Sequence, residues 1–426
     1  MGACFLRELR VRRNILTLVV VNSLFGLAFG VYDLAFPLFC DDNGIAKSTI
    51  GLILSGAGVV NFLIVVYGGR LSDLVGRKGI YGITFLGLAA TNMATPLVPH
   101  LAYLAVLKAT QQMWVSVRGA IRGTLVYESV PTERFTRIIA QLVGIENSFH
   151  AAGYACVATL GLASATMSYR GVFFISGTAL ALGVVLFLTL FREKPLAITS
   201  ARAYLSLRTV FKLDLHAKLY LIIAAGFIFT MGIALSHALW MLYFREKLRG
   251  PWAPDLAGFQ DWLGVVFPGT AAAAPGGGRG AEFALIGLIA VFHRLLLGIP
   301  MLLIAPLLRG RFKWLYVGGL IVEGVMIAAP AFADWLVGSL ALVAVVWVAH
   351  DIIGASIWYP IQERFIQQFS RPDRRGADVA KANALMALGA IAGQALAGPL
   401  MTLEPALPFF VGGAMIALAS LILIPL

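Results

Sequence analysis

An all-α, many-times membrane-spanning fold is the class this sequence predicts, and three observations carry that expectation. The 426 residues are 59% hydrophobic and only 13% charged, about half the charged fraction of an ordinary soluble domain, and mean hydropathy is +0.86. Apolar runs of about 20 residues recur along the whole length, each long enough to cross the hydrocarbon core of a bilayer. Lys and Arg gather in alternate short loops between those runs, the asymmetry expected when basic loops stay on the cytoplasmic side.

The runs mark spans at 15–39, 50–67, 79–98, 101–127, 138–161 and 171–191, then at 219–243, 282–308, 314–331, 336–360, 380–402 and 408–425. A helix satisfies every backbone N–H and C=O within such a run, as lipid requires. The short alternating segments of a membrane β-barrel are not seen. The first run follows Arg7, Arg10, Arg12 and Arg13 and has no cleavage-site pattern after it. It is too long for a signal-peptide core, so it reads as the first span with its N-terminus in the cytoplasm.

The basic loops carry Arg70, Arg77 and Lys78, then Arg134 and Arg137, then Arg192, Lys194, Arg202, Arg208, Lys212 and Lys218. Further on come Arg309, Arg311 and Lys313, and last Arg364, Arg371, Arg374, Arg375 and Lys381. Both termini are therefore expected in the cytoplasm, in a bacterial cytoplasmic (inner) membrane or a membrane derived from it. Segment 244–281 breaks the pattern with Arg245, Lys247, Arg249 and Arg279. It is long, and long loops obey the charge rule less strictly. Its Ala271–Gly280 tract reads as flexible and structureless. The net charge of +12 is distributed as loop anchors rather than as the basic face of a soluble domain, so a nucleic-acid partner is not expected. Cys4, Cys40 and Cys156 are too far apart for a zinc knuckle or a disulfide framework.

The basic stretch at 192–218 divides the spans six and six, giving an N-terminal bundle 1–191, a cytoplasmic linker 192–218 and a C-terminal bundle 219–426. The halves echo each other. Gly76-Arg77-Lys78 after the second span is matched by Gly310-Arg311-Phe312-Lys313 after the eighth. Pro131-Thr132-Glu133-Arg134 after the fourth is matched by Pro372-Asp373-Arg374-Arg375 after the tenth. Such internal repetition is expected of transporters built from two repeats.

Gly69-Arg70-Leu71-Ser72-Asp73-Leu74-Val75-Gly76-Arg77-Lys78 resembles the loop signature G-x-L-x-D-x-x-G-R-K/R of the major facilitator superfamily (MFS), at the place that family has it. The resemblance covers essentially the whole chain. It implies twelve helices in two pseudo-symmetric six-helix bundles, with the first, fourth, seventh and tenth lining a central cavity. It also implies that Gly69, Asp73, Gly76 and Arg77 form a latch holding one side closed. Physically, Gly69 permits close helix approach, and Asp73 can pair with Arg77 and face a helix N-terminus. Arg70 and Lys78 also fit a plain anchoring role. A second family motif, L-x-x-x-R-x-x-Q-G, is met by Leu104, Lys108 and Gln111, with Lys in place of Arg and Gln112 in place of Gly.

Ionisable residues inside spans are functional candidates by default. On the cavity helices these are Asp33, Lys108, Arg118, Arg122, His237, His350 and Asp351. Glu146 and His150 share one face of the fifth span at i,i+4 spacing. His293 with Arg294 and Glu323 lie on the eighth and ninth. Asp33, Lys108, Arg118, Arg122, Glu146, His150, His350 and Asp351 are the candidate substrate and proton pathway. His237 and His293 read more simply as satisfied buried histidines. A carboxylate beside a His can carry a proton. Asp33, Glu146, His150 and Asp351 are instead the candidate ligands if a divalent metal such as iron or manganese is the cargo. Arg118 and Arg122 suit an anionic or zwitterionic solute, or pair with a carboxylate as buried structure.

The functional expectation is a secondary active transporter of a small solute or ion, proton-coupled and working in lipid as a monomer. A metal permease and a transport-inactive scaffold or receptor are the alternatives. The sequence holds no His-Glu-x-x-His, no Gly-x-Ser-x-Gly and no phosphate-binding loop, so neither an enzyme nor an ATP-driven pump is indicated, and no cofactor is implied.

Overall fold

The computed structural model describes residues 2–163, 169–193, 212, 214–266, 278–304, 307–308 and 311–426, and every regular element among them is helical. The first group comprises α1 (Gly2–Asp42), α2 (Lys47–Val75), α3 (Arg77–Ala94), α4 (Leu101–Ser129), α5 (Thr132–Ala163) and α6 (Tyr169–Leu190). The second comprises α7 (Ala217–His237), α8 (Trp240–Arg249), α9 (Ala253–Val266), α10 (Gly278–Ile304), α11 (Phe312–Leu336), α12 (Leu340–Ala349), α13 (Gly354–Phe369), α14 (Arg375–Leu403) and α15 (Leu407–Ile422). By length and composition, seven stretches among the described residues suit a bilayer crossing: 13–42, 169–190, 217–249, 280–304, 312–336, 340–369 and 375–403.

Three expectations need amending. The runs at 219–243 and 336–360 are each broken, between His237 and Trp240 and between Ala349 and Gly354. Continuous hydrophobicity cannot reveal a break that contains no proline. Within 244–281, residues 253–266 are helical rather than loop. Of the low-complexity tract, 271–277 lies outside the described residues and the rest opens α10.

α1 packs on α5 and α6, α2 on α4, and α3 on α4 and α6. α7 packs on α14 and α15, and α11 on α13 and α15. Two long seams join the groups, α5 against α10 and α2 against α14. The α5–α10 seam is close because Gly144 and Gly298 meet there: a Cβ on Gly298 would lie 2.7 Å from Gly144 O, and one on Gly144 2.8 Å from Gly298 O. Small residues let helix backbones approach in this way. Outside, Leu16, Val106, Leu303 and Val345 are each more than 60% exposed, as lipid-facing side chains are.

Candidate functional site

The signature loop is a helix junction. Gly76 separates α2 from α3 at φ 102°, a region that L side chains rarely adopt. The Glu193 carboxylate accepts from the backbone N–H of Arg77 at 2.5 Å and of Lys78 at 3.2 Å. It thus sits on the positive end of α3. Arg77, 5% exposed, ion-pairs with Glu128 near the end of α4. The expected Asp73–Arg77 pair and the approach at Gly69 lie outside the described side chains.

Midway along α4, Arg118 and Arg122 face Glu146 on α5 one turn apart. Arg118 Nη2 lies 2.9 Å from Glu146 Oε1 and Arg122 Nη1 lies 2.6 Å from Oε2. Arg118 also donates to Asn22 Oδ1 at 2.6 Å and rests 3.3 Å above the Phe25 ring. Arg122 reaches the second group, donating to Tyr359 OH on α13 at 3.0 Å. A cavity of about 210 Å³ opens beside it, lined by Ser116, Arg122, Tyr359, Glu363, Asn383 and Ala387. Glu146 and His150, expected to work together, have separate partners here.

His150 instead faces Asp33 across 3.6 Å. Tyr154 OH donates to Asp33 Oδ2 at 2.6 Å, and Arg294 Nη2 of α10 is 3.9 Å from the same oxygen. Asp33 therefore collects groups from α1, α5 and α10, across the α5–α10 seam. Lys108, 6% exposed, donates to Gln111 Oε1 at 3.1 Å and lies over the Tyr32 ring at 4.9 Å.

His350 and Asp351 lie at the break after α12 and gather two residues the sequence reading had set aside. His350 Nε2 is 3.2 Å from His237 Nε2, and His293 Nε2 is 3.1 Å from Asp351 Oδ2. One ligand atom from each of the four residues lies within 4.8 Å of the others, a donor set suited to a divalent metal. The four metal candidates from the sequence are thus distributed over three centres: Glu146 between two arginines, Asp33 with His150, and Asp351 among three imidazoles.

Two further ionic clusters went unread in the sequence. Arg245 on α8, 2% exposed, donates to Asp41 at 2.6 Å, Asp42 at 3.2 Å and Glu282 at 2.5 Å. Lys47 pairs with Glu246 beside it. This ties the α1–α2 turn to α8 and α10. The only signal was a basic group in a segment that broke the loop-charge pattern. Beyond the other end of the bundle, Asp214 is held by Arg371 at 3.3 Å, Arg374 at 3.1 Å and Lys381 at 3.4 Å. Burial raises the Asp214 carboxyl pKa, but the hydrogen bonds and charge of Arg371, with Lys381 and Arg374, outweigh it and hold it below the usual range. Arg371 is bound as well to Asp378 at 2.6 Å.

Known proteins agree with this architecture. A family model described as Major Facilitator Superfamily matches residues 18–309. The quinolone resistance protein NorA of Staphylococcus aureus (strain MSSA476) is 20% identical over 240 residues, 56% of this chain. The match spans 60% of that relative's length. Among solved structures, the human organic anion transporter MFSD10 (TETRAN) is similar with a TM-score of 0.64 at 16% identity, over 97% of this chain and 99% of its own. A mutant of the nucleoside transporter NupG gives a TM-score of 0.65 at 14% identity, over 96% and 97%. At these identities the structural likeness is one of fold. The family match covers more than half of the residues, and the chain belongs to the Major Facilitator Superfamily.

Proposed function

We propose that this protein is a secondary active transporter that moves a small anionic or zwitterionic organic solute across a bilayer by alternating access, coupled to protons. The halves 1–191 and 219–426 rock about the α5–α10 and α2–α14 seams. The observation that carries the reading is the buried Arg118–Glu146–Arg122–Tyr359 bridge beside the cavity between α4 and α13. Two guanidiniums share the Glu146 carboxylate, and a further carboxyl group, Glu363, lines the same cavity near Arg122. Arg122 Nε has no partner. A substrate carboxylate or phosphate entering the cavity supplies an acceptor for it.

Asp33 is the proton-coupling group in this reading. Ionised, it accepts from Tyr154 and attracts Arg294 of the other half. A proton on Asp33 removes that attraction across the seam, so protonation and the movement of the halves share one contact. The Arg245 cluster closes the far end of the bundle, and an opposite state requires its separation. Because alternating access needs each ligand to favour one state over the other, the proton and the solute act by breaking different ties between the halves.

The test is flux into proteoliposomes loaded with a pH-sensitive dye, with an imposed proton gradient and a panel of organic anions and zwitterions. Solute-dependent proton movement that disappears in Asp33→Asn and Glu146→Gln is the expected result. A folded protein that moves none of them, with variants indistinguishable from wild type, would establish a transport-inactive scaffold instead.

A further inference from the structure

We propose that His237, His293, His350 and Asp351 form a binding site for a divalent first-row transition-metal ion, set between α7, α10 and the break separating α12 from α13. The claim concerns binding and does not rest on the transport reading. Its residues are not those of the Arg118–Glu146–Arg122 centre.

The hydrogen bond on its outer nitrogen sets the tautomer of His350: Nδ1 is 2.5 Å from the carbonyl of Trp347. A carbonyl only accepts, so Nδ1 carries the proton and Nε2 is bare. His237 Nδ1 is 2.9 Å from the Ser236 hydroxyl and 3.1 Å from the carbonyl of Ile233. The bare Nε2 of His350 points at His237 Nε2 across 3.2 Å, a separation that either a proton or a shared cation bridges. A backbone carbonyl on the outer nitrogen is also the usual support of a metal-bound imidazole.

A proton between His237 and His350 would serve that one contact only. His293 is 0% exposed; its Nε2 faces Asp351 Oδ2 at 3.1 Å, and its Nδ1 makes no hydrogen bond. Glu323, also 0% exposed, faces Asp351 from α11, with the Ala355 backbone and the Trp358 side chain beside it. Three imidazoles and two carboxyl groups thus share one buried volume. A divalent ion takes the four ligands at once, and Glu323 behind Asp351 is a positioning residue that balances its charge. Arg294 is the adjacent cation, and Asp33 lies 3.9 Å from it to offset its charge.

The spacing is close to that of a bound set. Ligands about 2.0–2.2 Å from a tetrahedral ion lie about 3.3–3.5 Å from one another. Here His237–His350 is 3.2 Å, Asp351 offers Oδ2 to His293 at 3.1 Å and Oδ1 to His350 at 3.5 Å, and one ligand atom from each of the four lies within 4.8 Å of the others. Imidazole nitrogen with one carboxylate suits zinc, cobalt, nickel or iron rather than magnesium or calcium. The Trp347 ring stacks on His293 at 5.2 Å and 12° and lies 4.4 Å from His350, giving the ligands a rigid apolar wall. The two breaks within the apolar runs 219–243 and 336–360 fall at ligand residues, after His237 and at His350-Asp351. Interrupted helices are where membrane transporters place ion sites.

The experiment uses the full chain purified without a polyhistidine tag, stripped with chelator and titrated with Co²⁺ by equilibrium dialysis and visible spectroscopy. We expect one Co²⁺ per chain with the intense d–d absorption of a low-coordinate nitrogen-ligated ion. His350→Gln and Asp351→Asn should weaken binding about 10–100-fold, while His100→Gln and His216→Gln, at exposed positions, leave it unchanged. His293→Cys should keep the ion and add a thiolate-to-cobalt charge-transfer band, a signature that a merely structural histidine cannot give. Absence of stoichiometric binding by monodisperse wild-type protein overturns the proposal, the cluster then holding protons only. So does unchanged affinity in a folded His237→Gln/His350→Gln double variant.

Discussion

Glu146→Gln and Arg122→Gln change one atom set each, yet the structure predicts very different costs. The side chains of Arg118, Arg122 and Glu146 are only 3%, 9% and 15% exposed. Glu146→Gln removes the carboxylate that both guanidiniums share, leaving Arg118 without its ion-pair partner and Arg122 with only Glu363 nearby. Breaking a buried pair so that a charge remains uncompensated costs about 3–5 kcal/mol. Arg122→Gln instead leaves Arg118 and Glu146 as a neutral pair. It removes the hydrogen bond to Tyr359 and one to Glu146, about 1–3 kcal/mol together. The assay is thermal loss of the monodisperse fraction of each purified variant in one detergent. Glu146→Gln should melt well below wild type and clearly below Arg122→Gln. Equal melting of the two variants, or a Glu146→Gln protein as stable as wild type, would refute the charge argument.

Three other outcomes follow from particular contacts. A Cβ on Gly26 would lie 2.1 Å from Glu146 O, whereas one on Gly56 meets nothing within 4 Å. Gly26→Ala should therefore cost about 1–3 kcal/mol in the same melting assay and Gly56→Ala almost nothing. Arg245→Gln removes the bonds from α8 to Asp41 and Asp42, leaves Arg249 on buried Glu282, and loosens the α1–α2 turn. Maleimide labelling of Cys40, 0% exposed beside Asp41, should then speed up in a Cys4→Ser/Cys156→Ser background. Asp214 has a lowered folded-state pKa. Its contribution is thus fully present above the unfolded carboxyl pKa of about 3.9 and lost only as pH falls through the folded value. Asp214→Asn should lower melting by a similar amount at pH 5 and pH 8, about 1 kcal/mol for a partly exposed cluster.

The spans and the family were legible because both depend on local pattern. Lipid demands long apolar helices, and the Gly69–Lys78 signature packs several fixed positions into one loop. The sites were legible only as candidates. Asp33, Arg118, Arg122 and Glu146 stood out as charges in apolar runs, but their pairing depends on how α1, α4, α5 and α10 are rotated against one another. Periodicity alone put Glu146 with His150. The structure gives Glu146 two arginines and gives His150 to Asp33. His237 and His293 looked ordinary because each is a single imidazole in an apolar helix. Their meaning comes from His350, brought beside them by a break in a run with no proline or glycine at 350–353. Arg245 was read as a loop charge, since no local pattern tells an exposed arginine from one buried among Asp41, Asp42 and Glu282.

Alternating movement of the two halves is the central claim, and distances between spin labels test it most directly. In a cysteine-free background, one pair of labels at Ala46 and Ala253 reports the end closed by Arg245. A second pair at Glu133 and Gln368 reports the end where Arg364 meets Thr136 at 3.2 Å. Arg245→Gln should lengthen the first distance and shorten the second in the same population. Distances that stay fixed at both ends, or that lengthen together, would contradict the account.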